Sequence, residues 1–246
     1  MSKNRLIGLL SLMLILFSCK QGINQTKESK FKKGYELAHK SLDRESTISI
    51  LTQWLANDST ISNWAYDTLA YYHYFFKVNP GAVRNPSTPM FYAEKGLDIN
   101  KGNTFLKDIK AKLLLEKGKD TLAYAMFEEM WKQTNDYTYY WDMTYIEIAR
   151  GNIAKAEEMI TAVLNSGDKI EGKKVKMEAI TAQITENIAA KAAFTYLNAL
   201  VKNVKRDVIG SFELLKKCIE IEPNFYAAKR DIMELQRMNS GARRQQ

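Results

Sequence analysis

Two stretches of this 246-residue chain superpose at a spacing of 33 residues, LLLEKGKDTLAYAMFEEM (113–130) and IEIARGNIAKAEEMITAV (146–163). Gly118 falls on Gly151, Ala123 on Ala156, and Phe127 on Ile160. A repeat of this length is one supersecondary unit that cannot bury its apolar face alone, so neighbouring units must stack. Apolar positions recur at three- and four-residue spacing, which predicts amphipathic helices. Each glycine sits where one helix (A) must turn tightly into the next (B), a position that a residue without Cβ takes freely. The alanines let the two helices approach closely, and Phe127 and Ile160 fill the space beneath the following helix A.

The frame extends in both directions. Upstream, 90–103 reads as a helix B, 63–76 as a helix A with Trp64 and Tyr71 at aromatic spacing, and 46–56 as an earlier helix B. Downstream, 193–206 is a helix A and 211–224 its helix B, with Ser211, Leu215, Cys218 and Pro223 at small, large, small and Pro positions. Pro223 ends that helix, because the residue before a proline resists the α conformation. Residues 225–238 form a closing helix. The spacing and residue types resemble the tetratricopeptide repeat (TPR) over 46–238, in about four units. The resemblance implies an all-α fold, a right-handed α-solenoid of antiparallel helix pairs with a concave face made by the A helices. Two segments interrupt the pattern. Residues 78–89 hold three of the four prolines and are expected to be a loop. Residues 170–191 lie between repeats and read as an extra or elongated helix.

The N-terminus has a different character. Lys3 and Arg5 precede an uncharged apolar run from Leu6 to Phe17. That run is shorter than the ~20 residues a spanning helix needs and fits the apolar region of a secretory signal. Leu16-Phe17-Ser18-Cys19 resembles a bacterial lipobox, with Leu16 at −3, Ser18 at −1 and Cys19 at +1. The resemblance implies diacylglyceryl transfer to the Cys19 thiol, cleavage before Cys19 and acylation of its amine with a chain such as palmitate. Lys20 stands at +2, where an Asp would imply retention at the inner membrane; the outer membrane is the address implied here, with the domain facing the periplasm. The expected organisation is a signal peptide over 1–18, a lipidated, flexible basic tether over 19–33, a TPR-like domain over 34–238 and a disordered basic tail over 239–246.

Charge supports this division. The chain carries 36 Lys and Arg against 28 Asp and Glu, a formal +8 that invites a nucleic-acid reading. The tether holds five lysines and one glutamate, and the tail from Arg237 three arginines, whereas the body from 34 to 236 has 26 basic and 27 acidic residues. The surplus lies at the ends, so no nucleic-acid partner is expected, and the tether lysines could meet anionic headgroups.

Motifs for catalysis are missing. The sequence has no G-x-S-x-G, no H-E-x-x-H and no P-loop. His39 and His73 are the only histidines, and His73, inside AYYHYFF, reads as a core or groove residue. Glu128-Glu129 and Glu157-Glu158 read as solvated helix faces, and Cys218 as a buried, inert thiol. No enzyme, cofactor or metal is expected. Helices A of TPR proteins line the concave groove, and by repeat position Asp108, Lys112, Trp141, Tyr145 and Tyr196 face it, with Tyr72. Trp and Tyr are favoured binding anchors, and a mixed aromatic and charged groove suits an extended peptide or a partner helix. The reading is a lipid-anchored scaffold for protein partners in the bacterial cell envelope, for example in assembly of an outer-membrane complex. The alternative is a glycan- or small-ligand-binding envelope lipoprotein that stacks its ligand on the same aromatics.

Overall fold

The computed structural model describes residues 30–75, 85–178 and 185–243. The signal segment, the lipobox with Cys19, the tether up to residue 29 and most of the expected 78–89 loop lie outside the described residues.

Eleven α-helices form among the described residues. They are α1 (residues 30–40), α2 (Arg44–Asn57), α3 (Ser62–Phe75), α4 (Ser87–Ile99), α5 (Thr104–Glu116) and α6 (Asp120–Thr134). These are followed by α7 (Tyr137–Ala149), α8 (Ile153–Leu164), α9 (Ala190–Val204), α10 (Val208–Ile221) and α11 (Tyr226–Arg243). Pairs α3–α4, α5–α6, α7–α8 and α9–α10 match the helices expected from the repeat. Several helices start behind an Asp or Asn whose side chain accepts a free backbone N–H of the first turn: Asp43 from Ser46, Asn103 from Leu106, Asp136 from Thr138 and Asp207 from Gly210.

Among the described residues, four A-to-B turns share one geometry. After α5, the Lys119 N–H donates to Leu114 O at 2.8 Å and the Gly118 N–H to Leu115 O at 2.9 Å, with Gly118 at φ +67°. After α7, Asn152 and Gly151 repeat the pattern onto Glu147 and Ile148, with Gly151 at φ +78°. The same six-to-one closure with a left-handed residue recurs after α1, at Leu42 (φ 57°), and after α9, at Arg206 (φ 62°). Residues 30–57 are therefore a further helix pair with the same turn, although no glycine marks it. The expected tether thus gives way to helix by residue 30, because Phe31 and Tyr35 on α1 pack against the Leu51–Trp54 cluster. At the other end α11 continues to Arg243, so the expected disordered tail is helical through that residue.

The core is continuous along the stack. Ala123, Phe127 and Ala156 are fully buried and Ile160 nearly so, each in the role its repeat position requires. Tyr92 packs against both the N-terminal and the middle apolar clusters, and Tyr140 against both the middle and the C-terminal ones. The small–large–small series Ser211, Leu215 and Cys218 is buried along α10.

The expected helix over 170–191 is corrected. This segment holds an antiparallel hairpin of β1 (Lys174–Glu178) and β2 (Thr185–Ala189). The residues alternate with period two. Val175, Met177 and Ile188 are buried, while Lys174, Lys176 and Asn187 are exposed. Val175 pairs with Ile188 on the core side, and Lys176 with Asn187 on the other. The Ala190 N–H donates to Lys173 O at 2.8 Å and closes the hairpin onto the start of α9. Helix α9 still packs on α8, so the hairpin is inserted without interrupting the stack.

Candidate functional site: a cleft on the face of the A helices

A cleft of about 400 Å³ opens where α3, α5, α7 and the hairpin converge. Tyr71 and Phe75 lie one turn apart on α3, their ring centroids 4.9 Å apart, and Phe105 of α5 sits 6.3 Å from Tyr71. These three rings give the cleft an aromatic wall. Asp108 and Lys112, one turn apart on α5, form an ion pair at 3.0 Å within it. Asp136 and Thr138 contribute from the start of α7, and Lys176 and Asn187 from the hairpin. Tyr139 also lines the cleft; burial first, then the carboxylates of Asp108 and Asp136, push its phenol upward. It is protonated at neutral pH and offers a hydrogen-bond donor. The cleft thus presents aromatic faces beside charges of both signs and a protonated phenol.

The structure brings Asp108 and Lys112 together in this cleft. Trp141 and Tyr145 lie farther along α7, their rings stacked at 5.5 Å and 7°. The Trp141 indole N–H donates to Ala193 O at 3.2 Å, which ties it to α9, whereas Tyr145 is 45% exposed and lies two turns from Thr138 on the same helical face. Two expectations are corrected. Tyr72 is only 6% exposed, and its hydroxyl is 2.8 Å from His39 Nδ1. Tyr196 is also 6% exposed and donates its hydroxyl to Asp231 at 2.7 Å, with burial and that carboxylate pushing its pKa upward. Both rings are packing residues between helices. Repeat position missed Tyr71, Phe75 and Phe105. Tyr71 is the neighbour of Tyr72, one helical step of about 100° away, so the assignment on α3 was out of register by one residue. The hairpin residues carried no repeat signal at all.

Most ionisable groups singled out in the sequence outside this cleft are packed or paired. His73 stacks on Tyr92 at 5.3 Å and 15°, and burial, with Arg44 nearby, lowers its pKa. Glu128 pairs with Lys132, Glu129 with Lys107 and Glu157 with Lys205. Burial pushes the Cys218 thiol up to about 12, where it is inert at neutral pH. Among the described residues no three His, Cys, Asp or Glu side chains gather as a metal site would require, and no helix is long and apolar enough to cross a membrane.

The helix pairs, their shared turn and the continuous core define a TPR-like α-solenoid. Solved structures agree. The chain is similar to a tetratricopeptide repeat protein from Parabacteroides merdae, at 12% identity and a TM-score of 0.60, over 88% of this chain and 75% of that one. It is also similar to YrrB, described as a TPR protein with an unusual peptide-binding site, at 15% identity and a TM-score of 0.53, over 86% of this chain and 96% of that one. No protein-family model and no curated protein matches the sequence.

Proposed function

We propose that this protein is a non-enzymatic scaffold that holds an extended segment of a protein partner in the cleft between α3, α5 and α7, anchored in the bacterial envelope through lipidated Cys19. The observation that carries the reading is the cleft itself. It lies on the face of the A helices, pairs an aromatic wall (Tyr71, Phe75, Phe105) with charges of both signs, and has room for several side chains of a bound chain. The peptide-binding site named for YrrB belongs to a chain of the same fold and supports the choice of ligand class. The signal-like segment and lipobox support the address, an outer-membrane lipoprotein facing the periplasm, where a peptide-holding solenoid serves assembly of an envelope complex.

The test places a photo-crosslinking amino acid at Phe105 and, as control, at Leu122, exposed on helix B α6. A light-dependent adduct to one envelope polypeptide from Phe105 and none from Leu122 is expected in intact native cells. No polypeptide adduct from Phe105, together with a thermal shift of the purified protein by envelope glycans, would replace this reading with the ligand-binding one. The anchor is tested separately: Cys19→Ser is expected to leave an unprocessed or soluble precursor, and unchanged processing and membrane fractionation would refute lipidation.

A further inference from the structure

Helix α1 has two unlike faces. Phe31, Tyr35 and Ala38 turn inward; Ala38 is buried, and the Tyr35 ring lies 5.3 Å from Trp64 and 6.5 Å from Trp54. On the opposite side Lys30, Lys33, Leu37 and Lys40 follow one another at spacings of three, four and three residues, which places them on a single outward stripe. All four are exposed, Leu37 to 72%. The stripe ends at the α1–α2 turn, where Leu42 is 87% exposed. Leu42 occupies the left-handed position of that turn, at φ 57°. Glycine fills the equivalent position after α5 and α7, and takes it without the steric cost a leucine meets there. The fold buries little of the Leu42 side chain.

We infer that the outward face of α1 and the α1–α2 turn form a docking surface for an anionic lipid bilayer, with Leu37 and Leu42 entering the headgroup–acyl boundary and Lys30, Lys33 and Lys40 on acidic headgroups. α1 exposes Lys30, Lys32, Lys33 and Lys40 against Glu36, and Asp43 beside Leu42 is held as the cap of α2, so the leucines stand in a net positive surround. Apolar side chains inserting while cations meet the surface potential is the chemistry of such an interface. Exposed leucines with no basic surround would suit a protein partner equally; the lysines select the membrane. Position agrees: Lys30 follows Cys19 by eleven residue steps, so even a fully extended linker reaches no more than roughly 36–40 Å from the anchor. The surface lies within reach of a membrane that holds Cys19, yet its chemistry does not depend on acylation. The solenoid is then held at its N-terminal end in a defined orientation, rather than swinging on a free tether.

The test reconstitutes the full chain into vesicles whose lipids carry brominated tails, with an environment-sensitive fluorescent amino acid at Leu37, Leu42 or Leu122. In phosphatidylglycerol-containing vesicles, quenching by the brominated tails is expected at 37 and 42, several-fold above that at 122. In purely phosphatidylcholine vesicles, and in Lys33→Glu/Lys40→Glu, quenching at 42 falls to the level at 122, and added salt weakens it. Quenching at 42 no greater than at 122 with phosphatidylglycerol overturns the inference. Equal quenching in both vesicle types overturns its anionic selectivity and leaves simple apolar insertion. Cys19→Ser read in the same assay separates the two ideas: quenching at 42 that persists without acylation supports this surface whatever becomes of the anchor.

Discussion

The backbone N–H of Lys176 donates to the Thr138 hydroxyl at 3.0 Å, across 38 residues of sequence. This bond fastens β1 to the first turn of α7, where Asp136 caps the helix, and so fixes the hairpin wall of the cleft. Thr138 is buried, and its replacement by Val leaves the Lys176 amide without that acceptor. Thr138→Val is expected to cost about 1 kcal/mol. Hydrogen exchange at the Lys176 amide should accelerate while the amides of α5 and α6 keep their protection. Unchanged exchange at Lys176 would show that strand pairing alone holds the hairpin.

The shared turn predicts substitutions of opposite sign at equivalent positions. Gly118 stands at φ +67° with open space where a Cβ would go, so Gly118→Ala meets only backbone strain. A loss of roughly 1 kcal/mol is expected. Arg206 is exposed and holds the same conformation, so Arg206→Gly should gain a few tenths of a kcal/mol, up to roughly 1. Urea denaturation midpoints compare the two, and a destabilised Arg206→Gly would contradict the equivalence of the turns.

Glu147 is a buried carboxylate near the end of α7. It accepts from the Asn152 amide at 2.7 Å and pairs with Lys155 at 3.0 Å. Burial alone raises its pKa, but Asn152, Lys155 and the charge of Arg150 outweigh it and hold the group below its ordinary 4.5. A carboxylate with a depressed folded-state pKa adds stability that is present above the unfolded value and lost as pH falls through the folded one. Glu147→Gln is therefore expected to cost about 1–3 kcal/mol at pH 7. The gap from the parent should narrow in acid below 4.5, as denaturant titrations at both pH values would reveal. A difference constant with pH would assign the loss to packing.

Trp141 and Tyr145 differ in what holds them, although their rings stack. Trp141 is bonded to Ala193 O and packs against the C-terminal cluster, so Trp141→Ala should loosen α7 from α9 at a cost of roughly 2 kcal/mol. Tyr145→Ala should change stability by no more than about 0.5 kcal/mol, since the ring is largely exposed. Tyr145→Ala is thus the variant whose partner capture reports on the surface alone. A thermal melt of each variant checks the contrast before any binding measurement.

Where a residue type has a single structural use, the chain is readable. Gly118 and Gly151 announced their turns and Ala123 and Ala156 the close helix contacts, because no other residue fits as cheaply. Helix α2 is legible as the helix B over 46–56, whereas its partner α1 is not, because Leu42 stands where a glycine would signal the turn. Hairpin residues 174–178 escaped notice because KVKME is short, and a buried Val and Met two apart are compatible with either period until strand pairing decides. On α5, repeat position puts Asp108 and Lys112 on the face where the cleft opens. The aromatic wall was not legible: five rings crowd Tyr71–Phe75 and its surroundings, and helical phase alone, uncertain by one residue, decides which of Tyr71 and Tyr72 faces out.

The insertion between α8 and α9 separates two properties that a solenoid ordinarily couples. Residues that stack repeats usually also shape the groove, so a change in specificity disturbs the fold. Here Lys176 and Asn187 reach the cleft from outside the repeat frame, while Val175 and Ile188 on the other face of the hairpin join the core that α8 and α9 share. Evolution, or an engineer, can recharge the outward positions 176 and 187 and leave the inward Val175 and Ile188, and with them the helical frame, as they are.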